Sequence, residues 1–327
     1  MYKHTTNEKI YTSINMLFIG LLFFILCVIS LLVGAKQLYL SQIMSFSSEA
    51  WLTLTASRFP RLMSLILAGV GLSVCGVILQ QIVRNKFVEP ATSGGLDAAK
   101  LGILISLIHF PTLGIVGKML STLVFCLISS VFFITIIRLI RFKNAVLVPV
   151  IGLMYGAILS AIAEFYAYQN NILQSMQGWL LGDFSRVVQG HYEIIYFIFP
   201  IVALTYLFAH RFTIVGMGET LATSLGLNYV GVTALGLILV AITISSVVIT
   251  VGAIPFVGLI IPNLAAMFYG DNLKRTLPII ALGGASVLLI CDIFGRLLLY
   301  PFEIPIGLTA SCVGGFMFLI VIWKTKK

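Results

Sequence analysis

Charge is what this chain has least of. Of its 327 residues only 9% are Asp, Glu, Lys or Arg, against about 25% in soluble domains, while 60% are hydrophobic and the mean hydropathy is +1.10. That composition excludes a soluble enzyme. Acidic residues are the scarcer sign, eleven against twenty basic ones, for a net charge of +9. Cysteine is sparse as well. Cys27, Cys75, Cys126, Cys291 and Cys312 lie far apart in apolar stretches, which favours small core residues over a disulfide framework or a metal site. A phosphate-binding loop is missing: the only Gly-Lys pair, Gly117-Lys118, is followed by Met119 and has Thr112 where the motif needs its first glycine. ATP would therefore have to be hydrolysed by a partner. No long linker, low-complexity tract or short-period repeat divides the chain, so residues 1–327 read as one transmembrane domain.

What is present is apolar length. A bilayer-crossing helix takes about 20 mostly apolar residues. The uncharged stretches predict an all-α polytopic membrane protein of ten helices, near 14–35, 62–83, 97–110, 118–137, 145–167, 192–209, 229–250, 257–269, 276–298 and 305–323. Val33-Gly34-Ala35 resembles a signal-cleavage site, but the apolar run before it exceeds the roughly 7 to 15 residues of a signal core, so a retained helix is expected. The run from Thr220 to Gly270 is too long for two simple spans and is divided at Gly226, Gly252, Pro255, Pro262 and Gly270.

Ten spans put both ends on one side, and Lys3, Lys9, Lys324, Lys326 and Lys327 place that side in the cytoplasm. Arg84, Lys86, Lys100, Arg138, Arg141, Lys143, Arg211, Lys274 and Arg275 bring the inside count to fourteen, leaving Lys36, Arg58, Arg61, Lys118, Arg186 and Arg296 outside. Topology accounts for the +9, and no nucleic-acid partner is needed. The six outside run against the rule and ask for a reason.

Ser57-Arg58-Phe59-Pro60-Arg61 opens the second span with two permanent charges around a proline. Such a pair suits carboxylate recognition, and it equally suits anchoring in lipid headgroups. The helix behind it carries Gly69, Gly71, Ser73 and Gly76, which permit close helix approach. Gln80 to Pro90, containing Arg84-Asn85-Lys86-Phe87-Val88-Glu89-Pro90, is a polar, basic loop that is either a topology signal or a contact for another subunit.

Arg-x-Pro-Arg, a Gly-rich helix, Gln and Arg-Asn-Lys-Phe-Val-x-Pro together resemble the FecCD-type permeases, membrane subunits of ABC importers for ferric siderophores, haem and vitamin B12. Gly178 to Phe184 (GWLLGDF), Val251 to Pro262 (VGAIPFVGLIIP) and Ile290 to Leu308 (ICDIFGRLLLYPFEIPIGL) extend the likeness along the whole chain, in order. One departure stands out: most members have Pro-His after the Gly-Leu-Ile segment, where this chain has Pro262-Asn263. With Gly270-Asp271-Asn272-Leu273-Lys274 it is similar to the Gram-positive branch of catecholate and petrobactin-type siderophore permeases, which counts against vitamin B12.

The resemblance implies a type II ABC importer permease fold in the cell membrane, with no directly bound cofactor. The partners it implies are ABC ATPase subunits, an extracellular substrate-binding protein and a second permease, a related heterodimer partner in preference to an identical copy. It also assigns roles. Arg58, Arg61 and Arg296 match positions that meet acidic residues of the binding protein, and Asp292, four residues before Arg296, is spaced for a supporting ion pair. Residues 211–228 match the coupling segment inserted into the ATPase. On the residues themselves, Glu219 favours a helix N-terminus, Leu221 and Leu225 flank Ala222 as an apolar i,i+4 pair, and Gly226 can close the helix left-handed. Gly152, Gly156, Ser160 and Glu164 recur every four residues on the fifth span; close packing explains such a stripe, and the family's fifth helix borders the translocation path. Residues 168–190, with Trp179 and Asp183, are expected to form a short outer gate helix or an interfacial anchor. The rival class is an ion-coupled secondary transporter, which places ionisable residues or broken helices at mid-membrane. Here Glu164 and Asp292 both fall toward the outer ends of their spans.

Overall fold

The computed structural model describes residues 2–34, 48–140 and 147–325. Lys36, Arg141, Lys143, Lys326 and Lys327 lie outside these, and the side chains of Lys3, Lys9, Arg138 and Lys324 are likewise outside the description. The described chain is helical from end to end: α1 Tyr2–Leu32, α2 Ser48–Val83, α3 Gly95–His109, α4 Ile115–Ile140, α5 Leu147–Gln169, α6 Leu173–Trp179, α7 Ile198–Leu207, α8 Ala209–Gly216, α9 Glu219–Ser224, α10 Tyr229–Val251, α11 Val257–Tyr269, α12 Leu273–Leu298 and α13 Ile306–Thr325. Each of the ten expected spans coincides with a helix.

The first helix begins at Tyr2 and the second at Ser48, both earlier than expected, while the short eighth span keeps its expected bounds. Among the described residues five helices (α2, α4, α5, α10, α12) are long and apolar enough to cross a membrane; a sixth crossing arises if Glu193–Leu207 and α8, bent by 65°, count as one. The eighth span, α11, has 13 residues, or about 20 Å, against a hydrocarbon core of about 30 Å. It is a half-helix. The stretch 252–256 before it is non-helical, and Phe256 turns into the helix with a left-handed φ of 71°.

α2 is the axis of the bundle. It packs on α12, α11, α10, α8 and α7, and 83% of its most apolar window is buried, against 22% for α4 and for α5. Small residues make this possible. A Cβ on Gly69 would sit 2.5 Å from the Gly284 carbonyl oxygen, and one on Gly76 only 1.8 Å from that of Gly258, so the backbones of α12 and α11 approach α2 directly. Ser73 Oγ donates back to the Gly69 carbonyl at 2.7 Å, which satisfies its hydroxyl inside this dry seam.

Candidate functional site

The residues singled out in the sequence gather at the two ends of α2. At one end, a π-turn over Leu54–Arg58 leads into the Pro60 segment, and Arg58, Arg61, Asp292 and Arg296 converge with Glu303 from the loop before α13. Arg61 is the hub. Its Nη2 reaches Asp292 Oδ1 at 2.7 Å and its Nη1 reaches Glu303 Oε2 at 2.7 Å. Asp292 Oδ2 pairs with Arg296 Nη2 at 2.5 Å across one helical turn. Other guanidinium donors close the C-terminal end of α1, while Arg296 Nε is buried without a partner. Arg296 donates to the carbonyls of Ser30 at 3.1 Å and Val33 at 2.5 Å and to Ser30 Oγ at 2.9 Å, while Arg58 donates to the carbonyls of Leu31 and, at 2.8 Å, Leu32. A helix C-terminus leaves carbonyls without internal partners, and cations there also complement the helix dipole.

The Asp292–Arg296 spacing was legible in the sequence; the convergence with Arg61 and Glu303 and the burial were not. Arg58 is 8% exposed and Arg296 5%, and the Arg61 side chain 14%. In this structure, therefore, the three arginines are not a free basic surface, which corrects the simplest picture of docking. The most exposed pair of the cluster is Arg61 with Glu303, the latter 24% exposed. Glu303 was missed because it sat unremarked inside the long motif from Ile290 to Leu308.

At the other end α2 stops at Arg84, whose left-handed φ of 56° closes the helix, its N–H returning to the Gln80 and Gln81 carbonyls. Asn85 Oδ1 accepts from the Phe87 N–H at 2.9 Å, and the Pro90 carbonyl accepts from the Gly95 N–H at 3.0 Å, so the Arg84, Asn85 and Pro90 motif folds into a compact turn leading to α3. This loop grips the half-helix: the Phe256 N–H donates to buried Glu89 Oε1 at 3.1 Å, and Asn263 Nδ2 donates to the Lys86 carbonyl at 2.7 Å. Asn263, the departure from the family pattern, is thus an amide clamp between α11 and the loop. Glu89 went unnoticed because its neighbours made it read as loop polarity.

The segment 211–228 packs on this same end. A Cβ on Gly216 would strike Gln81 Oε1 at 1.8 Å, and one on Gly218 would meet Arg84 Nη1 at 3.0 Å, so the backbone between α8 and α9 lies directly on the cap of α2. Glu219 starts α9, Ala222 is fully buried, and Gly226 closes the helix with φ 78° while the Leu227 N–H bonds the Ala222 carbonyl at 2.9 Å. Leu221 and Leu225 point away, 56% and 66% exposed. Beside them a cavity of about 450 Å³ opens between Gln81, Arg84, Thr213, Pro262 and Thr276.

The α5 stripe divides. Gly152 and Gly156 are buried, where a Cβ would meet the Thr92 carbonyl at 1.9 Å and Asp97 Oδ2 at 2.5 Å. As path-lining residues they are corrected: they are contact points for the 84–94 loop and α3. Ser160 and Glu164 turn outward, bridged by Lys100 Nζ at 2.8 Å and 2.7 Å. That pairing puts Lys100 at the depth of Glu164, which departs from the expected grouping of Lys100 with the basic residues near Arg84. The expected gate segment contains the short helix α6, ending at Trp179, followed by Asp183, which accepts from the Ser185 N–H at 2.8 Å.

A helical bundle with a buried axial helix, a half-helix beside it and polar clusters at both ends of that axis is the architecture of a polytopic membrane transport subunit. The chain matches the FecCD transport family over residues 21–324, and it belongs to that family. It is 60% identical over 307 residues to the ferric-anguibactin transport system permease protein FatD of Vibrio anguillarum, covering 94% of this chain and 98% of that one. The petrobactin import system permease protein YclN of Bacillus subtilis is 44% identical over 309 residues, again covering 94% and 98%. A solved metal-chelate type ABC transporter in an inward-facing conformation superposes with a TM-score of 0.79 at 26% identity, covering 94% of this chain and 98% of that one.

Proposed function

We propose that the chain is the membrane-spanning permease subunit of an ABC importer that takes a ferric siderophore, of catecholate type, from an extracellular binding protein into the cytoplasm. The observation that carries this is the 60% identity, over nearly the full length of both chains, to a ferric-anguibactin permease. Siderophore is preferred to haem or vitamin B12 because both relatives named above transport siderophores. In this reading the protein is a multi-pass plasma-membrane subunit with both ends cytoplasmic, a single domain without an ATPase site of its own.

The ATPase meets residues 211–228. An isolated helix of six residues is unstable in water, so α9 with Leu221 and Leu225 outward requires a receiving cleft. The second permease, a related chain, covers the sparsely buried faces of α4 and α5, and Ser160 and Glu164 border the path between the two. The arginine cluster is the docking centre through exchange: a carboxylate of the binding protein replaces Glu303 on Arg61, leaving the buried Asp292 contacts in place.

Uptake of a labelled ferric siderophore into cells should survive a protonophore and stop on ATP depletion; the reverse pattern identifies an ion-coupled carrier instead. For docking, Glu303→Gln removes the internal competitor without touching the buried arginines. It should tighten binding-protein association with the assembled transporter about two- to fivefold at low salt, and unchanged or weaker association rejects the exchange.

A further inference from the structure

A cavity of about 510 Å³ lies between α3, the start of α4, α6 and the end of α10. It belongs to the end of the bundle that carries the arginine cluster, because the loop lining it is tied there: the Gln189 N–H donates to the Ala56 carbonyl at 3.0 Å. Most of its wall is apolar, formed by residues such as Leu107, Ile115, Met176 and Val248. Its polar groups are the ammoniums of Lys100 and Lys118 and the imidazole of His191, with Trp179 beside them. Lys100 is neutralised by Glu164. The Lys118 ammonium and the His191 ring, in contrast, have no hydrogen-bond or ion-pair partner among the described residues. A smaller cavity of about 270 Å³ shares Ile115, Trp179 and His191 and adds Arg186 together with Asp183, which pairs with it at 3.6 Å, so it brings no further unpaired cation.

The nature of the occupant follows from these walls. A wholly polar anion would leave the aliphatic surface bare, and a wholly apolar ligand would leave the lysine without a counter-charge. An amphiphile with an anionic head satisfies both. The position suits it, since a Trp and basic side chains at the ends of apolar helices are what membrane interfaces select. We infer that this cavity binds an anionic phospholipid, its phosphodiester on Lys118 and His191 and the first part of an acyl chain along Leu107, Ile115 and Val248. A zwitterionic lipid brings its own ammonium into the basic rim and is disfavoured. This inference needs only that the chain spans a membrane, and it stands apart from the choice of transported chelate.

The test is lipid retention by the full chain, extracted in mild detergent, exchanged into equal phosphatidylglycerol and phosphatidylcholine, and weighed intact by native mass spectrometry. Phosphatidylglycerol should be retained preferentially. Lys118→Gln should lower that preference about tenfold, the loss of one charge-assisted contact. Lys118→Arg should preserve it, and Leu107→Trp, which fills the apolar part, should abolish retention with the cations intact. Equal retention of the two lipids, no change in Lys118→Gln, or undiminished retention in Leu107→Trp overturns the proposal. So does binding of inorganic phosphate by the delipidated protein as tight as that of the lipid, which would assign the basic groups to a free anion.

Discussion

The two ends of α2 are built in opposite senses. At the arginine end permanent charges are turned inward and tied to carboxylates and to the last carbonyls of α1; at the Arg84 end two leucines are turned outward from a helix six residues long. Ordinary expectation puts charge outside and apolar side chains inside. Both inversions have a cause. The charged end holds three helices together with pairs that offset the cost of desolvation, whereas the apolar end leaves surface bare that only another protein can cover.

That contrast can be broken at three points. The largest effect is expected from Asp292→Ala, which strands Arg61 and Arg296 beside each other in a buried site. The unfolding midpoint in detergent should reveal a loss of about 3–5 kcal/mol, and a negligible loss would mean the arginine end is a mobile surface after all. Next is Gly76→Val, two turns before the Arg84 end, where the added carbons collide with the Gly258 carbonyl. A loss of about 1–3 kcal/mol is expected by the same measurement, together with lower yield of assembled transporter. The smallest effect on stability belongs to the double change Leu221→Asp and Leu225→Asp, within about 0.5 kcal/mol because both side chains are exposed. Siderophore uptake should nevertheless fail, with ATP hydrolysis no longer linked to transport. Retained uptake would move the coupling role elsewhere.

Hydropathy located every expected span, because a membrane helix is selected residue by residue for apolar length and that signal is local. It gave the short eighth span at 257–269 as well, but not what holds the chain before it. Its 13 residues follow a non-helical stretch whose Phe256 N–H is held by Glu89, far away in the chain. The short helix α9 was readable for a related reason: Glu219 and Gly226 act on their own helix ends. The α5 stripe failed at Gly152 and Gly156 because spacing shows that residues share a face and not what lies against it; here it is the Thr92 carbonyl and Asp97. The pairing of Lys100 was not foreseen because its partner, Glu164, sits on another helix.

The sequence by itself determined that this protein lives in a membrane, that it is all helix, roughly where each helix begins, and which family it belongs to. Only the tertiary structure decided which charges are free. Arg61 meets Asp292 and Glu303 across 231 and 242 positions of chain, and an ion pair depends on distance in space, to which hydropathy and spacing along the chain are blind. At the arginine end of α2, Arg58, Arg61, Asp292, Arg296 and Glu303 are turned on one another and on the last carbonyls of α1, an arrangement no stretch of the sequence displays.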